Sequence, residues 1–264
     1  MEQLIQAVEV PRDQYRTRRN VRRMPVGRRR AGTDSIDYLN IRSVPLDKAL
    51  LRKNRILSGH EPAVFRESYQ LLRTQVLQRL KENHWNVLAV TSPRATEGKT
   101  LTAINLAISM AREVGYTVVL VDANLRSPTM LQHLGLPEHP GLSDYLTDVI
   151  PLEELLVRPY YLDDLVVLPG GRPVENSAEL LNSPKMERLV ADLKASADKC
   201  VVIFDLPPVL GTAETMAFSS HADAALLVVE DSVTTRTDLV HAAELLGSTN
   251  IVGTVLNKAG TVSP

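Results

Sequence analysis

The sequence has a single cysteine, Cys200, among 264 residues. That scarcity excludes an internal disulfide framework and any cysteine-based metal cluster, and it suits a reducing cytoplasm. At the start of an apolar run, the thiol reads as a packing group rather than a reactive one. No uninterrupted apolar stretch approaches the ~20 residues of a membrane-crossing helix, and the first residues lack a signal-peptide core. The expectation is a soluble cytoplasmic chain whose membrane association is peripheral, at the inner face of the plasma membrane. Charge excess is missing too. With 30 basic and 31 acidic side chains the net charge is −1, which excludes a bulk nucleic-acid binder and leaves no specific nucleic-acid partner. His60, His84, His133, His139, His221 and His241 show no metal-ligand spacing, and there is no internal repeat.

What is present begins with Val90-Thr91-Ser92-Pro93-Arg94-Ala95-Thr96-Glu97-Gly98-Lys99-Thr100. An apolar run feeds a short turn that ends in Gly-Lys-Thr and opens a helical pattern. That is the layout of a phosphate-binding loop. Backbone N–H groups and a helix N-terminus face an anion, Lys99 adds a point charge, and the Thr100 hydroxyl ligates magnesium. The first glycine of the usual pattern is Pro93. Alone, the tripeptide reads as well as a helix start with an exposed lysine.

Two further runs change that balance. Thr117–Val121 ends in Asp122, and Cys200–Phe204 ends in Asp205. In an open parallel sheet, residues just past the strands' carboxyl ends line the ligand crevice. Two aspartates there, beside a phosphate loop, hold magnesium and its waters against nucleotide phosphates. The competing reading of each is a helix cap or a strand-end turn.

Residues 1–60 differ from the rest. Nine arginines lie between Arg12 and Arg30 with few apolar neighbours, a composition read as a disordered basic arm. It is either drawn to anionic head groups or an acidic partner, or simply a solvated leader. Met1 to Val10 carries a short amphipathic pattern through Leu4, Ile5 and Val8. Residues 61–264 form the expected domain. A helical pattern starts near Ala63, followed by strands at 86–91, 117–122, 165–168, 200–205, 224–229 and 251–256. Helices are expected at 99–114, 152–157, 178–181, 186–195 and 237–246. The alternation predicts an α/β fold, a mainly parallel sheet with helices on both faces. Trp85, just before the first of these strands, reads as a packing anchor.

Together these segments resemble the bacterial tyrosine kinases of polysaccharide export, P-loop ATPases of the MinD/ParA-like class, over roughly residues 63–259. The motifs that carry the resemblance are Asp122-Ala123-Asn124-Leu125-Arg126-Ser127-Pro128, Asp205-Leu206-Pro207-Pro208, Leu168-Pro169-Gly170-Gly171, Glu179-Leu180-Leu181 and Ser183-Pro184-Lys185-Met186. The group associated with exosortase and exopolysaccharide loci is the nearest flavour. The resemblance implies ATP and Mg2+ as cofactors, with Lys99, Asp122 and Asp205 catalytic and Thr100, Asp122 and Asp205 around the metal. It implies a nucleotide-binding set of Glu97, Gly98, Lys99, Thr100, Leu101, Arg126 and Asn257. Asn257 would meet adenine, or else is a strand-end turn residue. Arg126 would touch phosphate or pair with a carboxylate. The implied partner is a membrane-embedded polysaccharide copolymerase or chain-length determinant. Glu67 and Arg73 match the ends of a subunit-contact motif that implies a homo-oligomer, although its middle arginine is Gln70.

Three departures from the pattern stand out. Thr96 replaces a loop glycine, and Thr tolerates positive φ poorly. Asn124 replaces a second aspartate, keeping shape but losing charge. All seven tyrosines lie at or before Tyr161, whereas the family's autokinases carry a C-terminal tyrosine cluster. Three functions therefore remain open. One is a protein-tyrosine kinase regulating exopolysaccharide or capsule polymerisation and export. Another is a MinD/ParA-like ATPase switch, with Arg94 near the place of its dimer-crossing lysine. The third is a nucleotide-binding regulatory subunit with little turnover.

Overall fold

The structure, a computed structural model, describes residues 41–162, 164–195, 199–247 and 249–259. The arginine-rich segment and the Met1–Val10 pattern lie outside the described residues. In chain order the elements are β1 (Arg42–Val44), α1 (Lys48–Lys53), α2 (Ala63–Asn83), β2 (Val87–Thr91), α3 (Lys99–Ala111) and β3 (Thr117–Asp122). There follow α4 (Met130–Leu134), α5 (Leu142–Thr147), α6 (Leu152–Leu155), β4 (Val157–Pro159), β5 (Leu165–Leu168), α7 (Ser177–Leu181) and α8 (Pro184–Ala195). The chain continues through β6 (Cys200–Asp205), α9 (Glu214–Phe218), β7 (Ala224–Glu230), α10 (Arg236–Leu246) and β8 (Asn250–Asn257).

The strands form one sheet in the order β1-β4-β5-β3-β6-β2-β7-β8. Every pairing is parallel except β4 with β5. Central strands β2, β3 and β6 are buried along almost their whole length. This is why they read as unbroken apolar runs rather than alternating ones. Successive side chains still go to opposite faces. Val119, Val121, Val202 and Phe204 pack with α8, α9 and α10 on one side. Val118, Leu120, Val201 and Ile203 pack with α2, α3 and α4 on the other.

Helix α3 is buried all round because it is covered twice. The sheet lies on one side, and α2 on the other presents Tyr69, Val76 and Leu80. It stops at Ala111, short of the expected 114, and the chain turns through Gly115 at φ +84°.

Two expectations are corrected. Residues 41–60, placed in the arm by the sequence reading, carry β1 and α1 and pack with the domain. Leu51, Ile56 and Leu57 are buried in the α2–α3 layer. Buried Asn105 of α3 fastens them, accepting from the Leu57 N–H at 2.8 Å and donating to the Arg55 carbonyl at 3.0 Å. The arginine content upstream masked this short apolar stretch. The helix expected at 152–157 ends at Leu155, and Val157 opens β4. Leu156 is already extended, and pairing with β1 and β5 overrides the local helical pattern.

No helix among the described residues is long and apolar enough to cross a membrane. Cys200 is buried at the start of β6, and Trp85 is half-buried against the α2–α3 layer. If residues 41–57 belong to the fold, Ile56→Ala lowers unfolding free energy by about 2–5 kcal/mol. Denaturant titration of the full chain measures this, and an unchanged midpoint would return the segment to the arm.

Candidate functional site

The loop between β2 and α3 is held from outside by the chain's C-terminal third. Buried Glu97 accepts from the Arg94 N–H at 2.7 Å and from the Thr234 hydroxyl. Asn257, at the end of β8, donates through Nδ2 to the Glu97 carbonyl at 2.8 Å. Lys258 donates to the Thr96 carbonyl at 2.9 Å and pairs with Glu230 at 2.8 Å. Arg94 forms a two-pronged pair with Asp238, at 2.9 Å from Nε and 2.8 Å from Nη2. Hydrogen bonding from Arg94 is the main reason the Asp238 carboxyl sits well below its ordinary range.

Gly98 caps α3 at φ +92°, where a Cβ would collide with the Asn257 amide. The glycine lets backbone and amide approach. The first hydrogen bond of α3 runs from the Thr102 N–H to the Gly98 carbonyl. The N–H groups of Lys99, Thr100 and Leu101 are therefore the donors that a helix start leaves for an anion.

Thr96 sits at φ +68°. The loop does require a left-handed residue there, and a β-branched side chain occupies it at a cost.

Asp122 and Asp205 end adjacent strands in direct register, about one strand spacing of ~4.8 Å apart. Each is only 1% exposed. The Thr100 hydroxyl donates to Asp205 Oδ2 at 2.6 Å, and Lys99 Nζ lies 3.4 Å from the same hydroxyl. Asp205 Oδ1 is buried with no hydrogen-bond partner. Asp122 accepts from the N–H groups of Asn124 at 3.2 Å, Thr129 at 3.1 Å and Met130 at 3.0 Å. Asp122 thus does cap the turn into α4, as its structural alternative supposed, while also facing Asp205.

Burial pushes both carboxyls above their ordinary range. For Asp122 the charge of Asp205 adds to the rise, and backbone N–H groups and Lys99 oppose it. For Asp205, Lys99 and the Thr100 hydroxyl oppose it. Two buried like charges with an unsatisfied oxygen form a donor set suited to a hard divalent cation. Thr100, Asp122 and Asp205 would hold that ion.

Beside Asp122 opens a cavity of about 430 Å³, lined by Pro128, Leu131, Leu136, His139 and Gly170 among others. Gly170 is required there, because a Cβ would meet Pro128 and crowd the Asp122 carboxyl.

The structure thus brings Glu97, Gly98, Lys99, Thr100, Leu101, Asp122, Asp205 and Asn257 to one pole of the sheet. Three of these differ from expectation in detail. The Glu97 side chain is spent on loop structure, leaving only its backbone for a ligand. Leu101 is half-buried and packs inward, so its contribution is its N–H. The Asn257 amide nitrogen is committed to Glu97. Arg126 takes the carboxylate alternative, with Nε 3.1 Å from Glu214 Oε1 and Nη2 3.4 Å from the Glu175 carbonyl. Arg73 is likewise turned inward, to the Ser109 carbonyl and Glu113.

Sequence reading missed Thr234, Asp238, Glu230 and Lys258 as supports of the loop. The spacing of Thr235 and Asp238 signals their capping box. Nothing local signals that Asp238 meets Arg94.

Two outcomes follow from this geometry. Relief of the left-handed strain predicts that Thr96→Gly raises unfolding free energy by about 1 kcal/mol and tightens ATP binding. Calorimetry of the two proteins checks both effects. Secondly, the raised carboxyls make the native state hold protons that the unfolded chain has lost. Without magnesium, stability therefore falls as pH rises from about 4 toward neutrality. Asp205→Asn should melt higher than wild type at pH 8 and alike near pH 4, and magnesium should raise the melting temperature of wild type alone. Equal pH profiles for the two proteins would refute the assignment.

No family model matches the chain. It is 32% identical over 217 residues to the tyrosine-protein kinase YwqD of Bacillus subtilis (strain 168), covering 78% of this chain and 90% of that protein. To the succinoglycan biosynthesis transport protein ExoP of Rhizobium meliloti (strain 1021) it is 29% identical over 213 residues, which are 78% of this chain and 26% of ExoP. Among solved structures, the VpsO kinase domain matches with TM-score 0.66 and 26% identity over 75% of this chain and 97% of that one. The cell division ATPase MinD of Pyrococcus furiosus matches with TM-score 0.57 and 25% identity over 66% and 73%. Identity at that level across nine-tenths of YwqD makes the chain a member of the bacterial tyrosine-protein kinases, built on a sheet shared with the MinD ATPases.

Proposed function

We propose that the chain transfers the γ-phosphoryl group of ATP to tyrosine hydroxyls, in the service of exopolysaccharide or capsule polymerisation and export. The observation that carries this reading is the buried pair Asp122–Asp205, one of its oxygens unpartnered, set beside the open N–H groups of α3. Magnesium, when bound, would neutralise phosphate charge. The N–H groups of Lys99, Thr100 and Leu101 bind phosphate oxygens, and the Lys99 ammonium offsets negative charge that shifts during transfer. Asp122 lines the 430 Å³ cavity, where its raised proton affinity suits it to accept the phenolic proton. Pro128, Leu131 and Leu136 give a phenol ring an apolar wall.

ExoP is named for succinoglycan biosynthesis transport, and the match occupies about a quarter of it. The partner proposed here is a membrane-embedded polysaccharide copolymerase supplying a corresponding remainder. Peripheral contact through the arginines between Arg12 and Arg30, a homo-oligomer and a place at the inner face of the plasma membrane belong to the same proposal.

The ATPase-switch alternative needs a cation at Arg94 free to reach another subunit. Its guanidinium is engaged by Asp238 of its own chain, which favours the kinase reading. The regulatory-subunit alternative rests on Thr96 and Asn124.

Incubation of the full chain with radiolabelled ATP and magnesium separates the three readings. The expected result is phosphotyrosine, falling to background in Lys99→Ala. Free phosphate without phosphotyrosine would establish the switch, and ATP binding without turnover the regulator.

A further inference from the structure

The described tyrosines fall into two classes. Tyr69 is buried, and Tyr116 and Tyr145 are half-buried. The rings of Tyr116 and Tyr145 are covered by the ammonium groups of Lys199 and Lys185, at 5.7 and 4.7 Å from their centroids. Tyr160 and Tyr161 are 52% and 73% exposed.

These two form the turn that joins β4 to β5, closed by a hydrogen bond of 3.1 Å from the Leu162 N–H to the Pro159 carbonyl. Tyr161 takes the left-handed conformation at φ +75°, a conformation that a ring-bearing residue adopts only where the turn enforces it. The rings meet edge to face with centroids 4.2 Å apart. Tyr160 is anchored through its backbone, whose N–H donates to the Val44 carbonyl at 2.8 Å. Tyr161 is the more exposed of the two. Above its ring, 5.2 Å from the centroid, stands the Lys48 ammonium.

From this exposed turn and its lysine we infer that Tyr161 is a phosphoacceptor of the kinase and is modified by a second copy of the chain. The inference rests on the kinase reading and names that site's substrate. Sheet polarity dictates the second copy. Strand β5 runs parallel to β3 with Leu165 level with Val118, so the turn before it lies at the amino-terminal pole. Asp122 lies four residues beyond Val118, a rise of roughly 13 Å along the strand, at the opposite pole. A phenol at one pole cannot enter the cavity at the other pole of its own molecule.

In the transfer, the Tyr161 oxygen of one copy bonds to the γ-phosphorus of ATP held by the other. The bond from that phosphorus to the β–γ bridging oxygen breaks, and ADP leaves with the electron pair. The phenolic proton passes to Asp122 of the catalysing copy and then to water. The new phosphate carries roughly −1.5 to −2 charge, and Lys48 is placed to pair with it. Phosphorylation thereby replaces a cation–ring contact with an ion pair between α1 and the turn.

The test mixes wild-type full chain with the full-length Lys99→Ala variant, magnesium and ATP, and maps phosphate by peptide mass spectrometry. A random glutamate–tyrosine copolymer reports kinase activity separately. The expected result is phosphate on Tyr161 of the Lys99→Ala copy, at an initial rate proportional to wild-type concentration. Tyr161→Phe should lose most self-labelling while phosphorylating the copolymer as wild type does. Tyr160→Phe should keep the Tyr161 label. Lys99-dependent labelling of the copolymer with Tyr161 unmodified would overturn the inference and leave the kinase reading standing. Absence of label from both chain and copolymer would overturn the two together.

Discussion

Two carboxylates sealed from water in neighbouring strand-end positions are the costliest feature of this molecule, and much of the surrounding architecture answers to them. Side by side in register and each 1% exposed, Asp122 and Asp205 both carry the burial penalty, and the charge of Asp205 raises the proton affinity of Asp122 further. A purely structural pair would be dispensable, since apolar residues of similar size fill such places at no loss of stability. The surrounding groups instead supply partial compensation: backbone N–H groups for Asp122, and Thr100 and Lys99 for Asp205. One oxygen is left unsatisfied. In the proposed function that unmet charge is what attracts a divalent cation, so the instability of the empty pair and the role of the filled one would be a single property.

The phosphate loop shows the complementary logic. It contains few glycines and a strained Thr96, and it does not hold its shape alone. Glu97, buried at its centre, is gripped by Thr234, and Asn257 and Lys258 reach the loop's carbonyls from the end of β8. The loop thus rests on β7, α10 and β8, elements that come more than a hundred residues later. Shifts of the loop on ligand binding would be felt at that edge of the sheet, because each tie runs through a short hydrogen bond rather than a soft apolar contact.

How much of this was legible in sequence divides along the range of the interactions. Six of the eight strands were visible because a parallel sheet covered on both faces needs long apolar runs, and the carboxyl-end aspartates followed from the same polarity. Helix α3 was visible for the same reason, being buried all round. Residues 41–57 were not visible as part of the domain. Two short elements downstream of nine arginines carry too little periodicity, and the determinant that docks them, Asn105, lies in another helix. Likewise Arg126 offered two partners in sequence, and only the fold, by placing Glu214 beside it, decides between them. The loop's need for a left-handed residue at 96 was readable from the glycine it replaces. Its supports were not, because Asp238 and Arg94 stand 144 residues apart.

The reversal at the sheet's far edge completes the design. Strands β1 and β4 run parallel to each other and against the rest of the sheet, so the connection from β4 to β5 needs only a tight turn instead of a crossover helix. A crossover would have buried that segment under a helical layer. The hairpin leaves it projecting into solvent at the pole away from the nucleotide loop. The fold therefore separates the proposed phosphate-binding groups from the most exposed tyrosines among the described residues by the full length of the central strands. Any exchange between them must take place across molecules, and concentration or clustering of the chain becomes the natural control on it. That consequence follows from strand direction alone, independent of which side chains line the catalytic pole.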